Sequence, residues 1–163
     1  MEHETPLNRA DAAAIRRCAP LWEEVIDRGA VAYAQKAAVA GQNGFVFLWN
    51  DSQPARDFAV YFFLAVGGAT TIAMDFFRLT ALTGTRLGPG FPANFKTGQP
   101  PGSIYTGSVV GATGDLLLHI PAGTLMPMQL GRPLFIVPPG VGFGVSNPTV
   151  NVTVYLNVMW APL

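Results

Sequence analysis

The spacing of the hydrophobic positions changes near residue 30. Before it, apolar residues recur at the three- and four-residue spacing of a helix, and they are Ala12, Ile15, Ala19, Trp22, Val25 and Ile26. Asn8 can cap the first turn of such a helix, whereas Pro20 cannot donate a bond in its interior. The pattern therefore predicts a helix in two pieces over residues 8–28, and we assign residues 1–29 to an N-terminal helical arm.

After residue 30 the pattern is that of short strands separated by turns. The last predicted strand is the clearest, because every second position is apolar over Val150, Val152, Val154, Leu156 and Val158. Less regular strands are predicted over residues 31–39, 45–49, 57–66, 70–80, 103–110, 115–120, 134–137 and 141–146. No helical pattern separates these strands. Residues 30–163 are thus predicted to form one all-β domain, an antiparallel β-sandwich or jelly roll.

Turn-forming residues indicate how neighbouring strands connect. Two such sequences, Gly67-Gly68 and Pro138-Pro139-Gly140, lie between predicted strands, and we expect each to close a hairpin. Residues 84–101 are rich in glycine and proline, which predicts a long surface loop with a short extended piece near residues 91–95.

The charged residues are distributed unevenly. Charged residues make up 12% of the chain, ten basic and ten acidic, which is about half of the usual share. Ten of the twenty lie in residues 1–28. The β body must therefore either expose Thr, Ser, Gly and Asn or bury much of its surface against other copies, and the second alternative predicts an obligate oligomer. The arm, in turn, either caps its own domain or docks on a neighbouring subunit.

Composition argues against several classes of partner. A formal net charge of zero disfavours a nucleic-acid-binding protein, which needs a basic surface. No apolar run is long enough to span a membrane, and the charged residues at the start, Glu2, His3 and Glu4, do not resemble a secretory signal. A single cysteine, Cys18, cannot form an internal disulfide framework.

The titratable residues do not form a recognisable catalytic set. Of the two histidines, His3 lies in the arm and His119 in an apolar run, and one core histidine cannot supply the metal ligands of a cupin. Cys18 has no histidine close to it in sequence to activate a thiolate. We therefore predict a non-enzymatic chain with no catalytic, cofactor-binding or metal-binding residues, in which His119 is an edge or interface residue.

Several alternative sites stay open at this stage. Asp51 and Asp57 flank a loop and could form a glycosidase pair, and a ring of His119 side chains around a symmetry axis could hold a metal. The alternating glycines of residues 140–145 are followed by a turn rather than a helix, so we expect them to pack against a neighbouring strand or subunit instead of binding phosphate. Asn50 and Asn151 match the glycosylation pattern.

Two tryptophans offer a further alternative. Trp49 and Trp160 each end a predicted strand. They either seal the ends of the sandwich or, if exposed, stack on a sugar ring as in lectins. Together with the loop over residues 84–102 they would then form a carbohydrate- or receptor-binding site.

The order of these segments is similar to that of a known group of proteins. A weak strand precedes an apolar strand ending in Trp49, a proline- and asparagine-rich loop follows residues 82–87, and residues 133–140 precede a terminal strand that closes on Met159-Trp160. This order resembles small jelly-roll or β-sandwich virion structural proteins of tailed bacteriophages, of the capsid decoration (cement) or fibre type.

The resemblance implies a function and partners but no catalytic residues. It implies a homo-oligomer, most often a trimer, that is made in the host cytoplasm and binds the major capsid protein or another virion protein. The capsid exterior is favoured over the tail, and a lectin-like or receptor-binding module of a fibre or tail is the alternative. No cofactor, nucleic acid or membrane is implied.

Overall fold

The structure is a computed structural model that describes residues 27–67, 73–94, 99–111, 113–121 and 133–163. Asp27 and Arg28 are helical, and the rest of the predicted arm helix lies outside the described residues. All remaining regular structure in the described part is β. Its strands are β1 Ala30–Lys36, β2 Asn43–Trp49, β3 Phe58–Gly67, β4 Met74–Leu79, β5 Thr85–Gly88, β6 Phe91–Pro92, β7 Ser103–Val109, β8 Asp115–Ile120, β9 Phe135–Val137, β10 Gly142–Ser146 and β11 Val154–Pro162.

The strands form two antiparallel sheets. The five-stranded sheet has the order β6-β1-β11-β3-β9, and the six-stranded sheet has the order β5-β7-β2-β10-β4-β8. The two sheets pack face to face, with β1 against β7 and β2, and β11 against β2 and β10. This arrangement confirms the prediction of an all-β antiparallel sandwich.

The core lies between the sheets and follows the two-residue period of the strands. On β11, Val154, Leu156, Val158 and Trp160 are buried, whereas the intervening Tyr155, Asn157 and Met159 are only half-buried. The predicted alternation is therefore confirmed from Val154 onward. The strand does not extend back to Val150, because Asn151 has a φ of 62° and belongs to a turn.

A second apolar cluster covers the outer face of the six-stranded sheet. Its buried members are Phe45, Phe47, Phe77, Leu79 and Tyr105. Glycines on the adjacent strands make room for these rings: a Cβ at Gly142 would lie 2.9 Å from Phe47, and one at Gly144 would overlap the backbone of Val46 and Phe47. The interpretation of the alternating glycines as positions packed against a neighbouring strand is confirmed for Gly142 and Gly144. It is wrong for Gly140, which has a φ of 73° and no atom within 4 Å of an added Cβ.

Both predicted hairpins are wrong. β3 belongs to the five-stranded sheet and β4 to the six-stranded sheet, and β9 and β10 are divided between the sheets in the same way. Stacked sheets lie about 10 Å apart, a gap that the connection from Gly67 to Met74 is long enough to cross. The predicted loop over residues 84–101 also contains β5 and, within its expected extended piece, β6.

Candidate functional site

His119 lies at the edge of a sheet, as the sequence predicted. It is on β8, the outermost strand of the six-stranded sheet, and its Nδ1 is 2.6 Å from Oδ1 of Asp75 on β4. Nothing brings further ligands to this pair: among the described residues, no group of three His, Cys, Asp or Glu side chains could hold a metal ion. His3 and Cys18 lie outside the described residues.

Asp51 holds two chain segments together. Its Oδ1 accepts a hydrogen bond from the backbone N–H of Gly102 at 3.0 Å, and its Oδ2 accepts one from Oγ of Ser103 at 2.7 Å. The same Oγ accepts a bond from Nη2 of Arg86 at 2.8 Å. Both carboxylate oxygens of Asp51 therefore bind the start of β7.

No observed contact joins Asp51 to Asp57, the two carboxylates left open as a glycosidase pair. Among the hydrogen bonds of the described residues, none joins any two of Asp51, Asp57, Asp115 and His119. A cavity of about 330 Å³ adjoins Asp51, and of the described residues that line it Asp51 is the only acidic one. Asp57 is not among the described residues that line this cavity, so the cavity brings no second carboxylate of the described part of the chain to Asp51.

Asn50 is a buried structural residue. Its side chain is 1% exposed, Nδ2 donates to the backbone oxygens of Arg56 and Val137 at 2.8 Å each, and Oδ1 accepts from the N–H of Ser52 at 3.1 Å. It thereby fixes the loop after β2 and joins it to β9. A side chain so enclosed cannot serve as a glycosylation acceptor, and Asn151 in the other matching sequence binds the N–H of Gly41.

The two tryptophans are not placed as a sugar-stacking pair. Trp160 is fully buried, and its Nε1 donates a hydrogen bond to the oxygen of Pro101 at 2.8 Å. It packs closely against Gly90 and Gly102, so it closes one end of the sandwich. Trp49 is half-buried with its ring edge-on to Phe47, 6.3 Å between centroids. Because it is buried, Trp160 cannot stack on a sugar ring in the carbohydrate-binding alternative.

The surface with the clearest binding potential lies on the edge strands β8 and β9. Leu116, Leu117 and Leu118 on β8 are 62%, 46% and 41% exposed, and Ile136 on β9 is 48% exposed. β8 and β9 are the last strands of their sheets, and Leu117 and Ile136 line the same cavity of about 300 Å³. We call these four residues the apolar edge.

Ion pairs flank the apolar edge without making it polar. Asp115 accepts hydrogen bonds from Nη2 and Nε of Arg78 at 2.8 and 3.2 Å, and His119 pairs with Asp75. Charges at an edge strand usually discourage pairing with another chain, but here each charged group has a partner of its own on β4. The three leucines between Asp115 and His119 remain exposed.

The position of the apolar edge could not be predicted from the sequence. Successive side chains of a strand point to opposite faces of the sheet, so three consecutive leucines cannot all point into one core. The sequence therefore indicated that at least one leucine of β8 lies outside the core. In the described part of the chain β8 pairs with β4 alone, and this pairing leaves the leucines facing solvent instead of a second neighbouring strand. That pairing joins segments about 40 residues apart, beyond the reach of local patterns.

Comparisons of the chain with family models, curated proteins and solved structures find no match. No helix in the described part of the chain is long and apolar enough to cross a membrane. The described residues form a two-sheet antiparallel β-sandwich that exposes the apolar edge on β8 and β9.

Proposed function

We propose that this chain is a non-enzymatic virion structural protein, most concretely a capsid decoration or cement protein that oligomerises and stabilises the shell. The apolar edge is the observation that carries the proposal. Exposed apolar surface on consecutive positions of an edge strand is a template for association, and a second copy of the chain would cover it. The closed symmetry of a homo-oligomer, with a trimer favoured, buries such an edge on every copy.

The order of the strands supports a jelly-roll form of the sandwich. Four strands of each sheet have the orders β1-β11-β3-β9 and β2-β10-β4-β8, and the consecutive pairs β1/β2, β3/β4, β8/β9 and β10/β11 are each split between the sheets. Two interleaved Greek keys produce this division, with β5 to β7 as an addition. Viral capsid domains, lectins and cupins all use jelly rolls, so this strand order supports the proposal.

The contacts of the polar residues also support a structural role. Asp51 holds backbone and Ser103, Asp115 pairs with Arg78, and His119 pairs with Asp75. Each of these groups organises a loop or a strand edge. Following the resemblance of the strand order, we further propose that the protein binds the major capsid protein on the capsid exterior, with residues 1–29 as a helical arm.

Binding to shells tests this function directly. Shells assembled from the major capsid protein of the virus that encodes the chain should co-sediment the purified protein saturably and should lose integrity at a higher temperature once coated. Leu117→Lys should weaken binding by a factor of about 100 or more, because a monomer attaches through one contact where an oligomer uses several. Leu82→Lys is the matched control, since Leu82 is 51% exposed in the loop between β4 and β5 and is not part of the apolar edge. An oligomeric wild-type chain that does not bind the shells would contradict the assignment.

A further inference from the structure

The outer face of the five-stranded sheet carries a second open apolar surface. A groove of about 380 Å³ is lined there by Val31 and Tyr33 of β1, Phe91 of β6, and Asn157 and Met159 of β11. Phe91 is 72% exposed and Tyr33 is 60% exposed. We call these five residues the outer groove.

Part of the same face is already covered. Ala59, Tyr61 and Ala161 form a buried cluster with Met159 packed against it, although the six-stranded sheet packs on the opposite face. The outer groove continues this face toward β6 and stays open.

The N-terminal segment leaves the body beside the outer groove. The oxygen of Gly29 accepts a hydrogen bond from the N–H of Ala93 at 2.9 Å, and the oxygen of Asp27 accepts one from Nδ2 of Asn94 at 3.1 Å. Ala93 and Asn94 directly follow β6, and Val31 is paired with Phe91. The last residues before the body are therefore held against Ala93 and Asn94, two and three residues after Phe91.

We infer that the outer groove is the docking site of this chain's own N-terminal segment, residues 8–26, with the Trp22 side chain seated in it. The segment carries an apolar stripe at helical spacing, and Trp22 is its largest apolar residue. Trp22 lies five positions before Asp27, a separation of about 7.5 Å in a helix or about 17 Å when extended, so Trp22 stays close to the part of the body where Phe91 lies.

The chemistry of the groove fits an indole ring. Its walls are mainly apolar and aromatic, and Asn157 offers an amide with which the indole N–H can form a hydrogen bond. Glu23 and Glu24, which directly follow Trp22, lie off the apolar stripe and can remain in water. The short connection gives the chain's own segment a much higher effective concentration at the groove than the segment of another copy. This inference stands independently of the proposed function.

Limited digestion of the full chain with trypsin, followed by mass spectrometry, tests the inference. The segment offers cleavage sites after Arg9, Arg16 and Arg17. Phe91→Ser and Trp22→Ala should each speed cleavage after Arg16 and Arg17 by about tenfold or more, because proteolysis follows the population of the undocked state. Val110→Ser is the matched control, since Val110 is 77% exposed and is not part of the groove. It should leave the cleavage rate unchanged.

Two results would overturn the inference. One is equal cleavage of the wild type and of both docking variants. The other is protection of Arg16 and Arg17 that disappears on dilution, which would assign the groove to the segment of a neighbouring copy. Both readouts are separate from shell binding by the wild-type chain, so a failure here is distinguishable from a failure of the proposed function.

Discussion

Replacing Trp160 by alanine is expected to lower the free energy of unfolding by about 3–5 kcal/mol. The side chain is fully buried between the sheets, and its removal leaves a large cavity next to Gly90 and Gly102. It also leaves the oxygen of Pro101 without the hydrogen bond from Nε1. Denaturant-induced unfolding, monitored by circular dichroism, measures the loss.

Two further variants sharpen this measurement. Trp160→Phe retains most of the apolar contact but removes the donor, so a smaller loss of about 1–3 kcal/mol is expected. Leu82→Ala, at an exposed loop position, should change stability by no more than about 0.5 kcal/mol. If Trp160→Ala lowered the free energy of unfolding as little as Leu82→Ala, the placement of Trp160 in the core would be contradicted. Trp160 would then again be a candidate contact residue for a sugar.

Replacing Asn50 by alanine is expected to cost about 2–4 kcal/mol, although the side chain is polar. The substitution removes both bonds donated by Nδ2, to the oxygens of Arg56 and Val137, in a site that is closed to water. Since Val137 belongs to β9, the loss should loosen that edge strand as well as the loop after β2. Hydrogen exchange measured by mass spectrometry should show faster exchange in both segments.

The control for Asn50 is a polar residue in a nearby exposed loop. Gln99→Ala should leave both stability and exchange unchanged, because Gln99 is exposed. Equal exchange in β9 of the wild type and of Asn50→Ala would show that the side chain does not connect the loop to this strand.

The strands could largely be predicted from local sequence, whereas their partners could not. The bounds of β8 were predicted as residues 115–120, and the structure has Asp115–Ile120. The alternation of β11 likewise places Val154, Leu156 and Val158 in the core. The two predicted hairpins failed because a turn between two strands does not determine whether the chain stays in one sheet or crosses to the other.

The candidate site also depends on the pairing of segments that are far apart in sequence. Asp51 stands in a loop with Asp57 nearby in sequence, but its partners are Gly102 and Ser103, about 50 residues further on. The three leucines of β8 are visible in the sequence, whereas their exposure follows from β8 being the last strand of its sheet. Local patterns identify which residues are apolar, and the pairing of distant segments determines which of them face solvent.

The central claim is that further copies of the chain cover the apolar edge, and its most direct test is the molar mass in solution. Sedimentation equilibrium of the full chain at micromolar concentration should give an integer multiple of 17.3 kDa, with three copies favoured. Leu117→Lys, which places a charge on the apolar edge, should reduce the mass to that of one copy, whereas Leu82→Lys should not. A wild-type chain that sediments as a stable monomer at this concentration would contradict the claim.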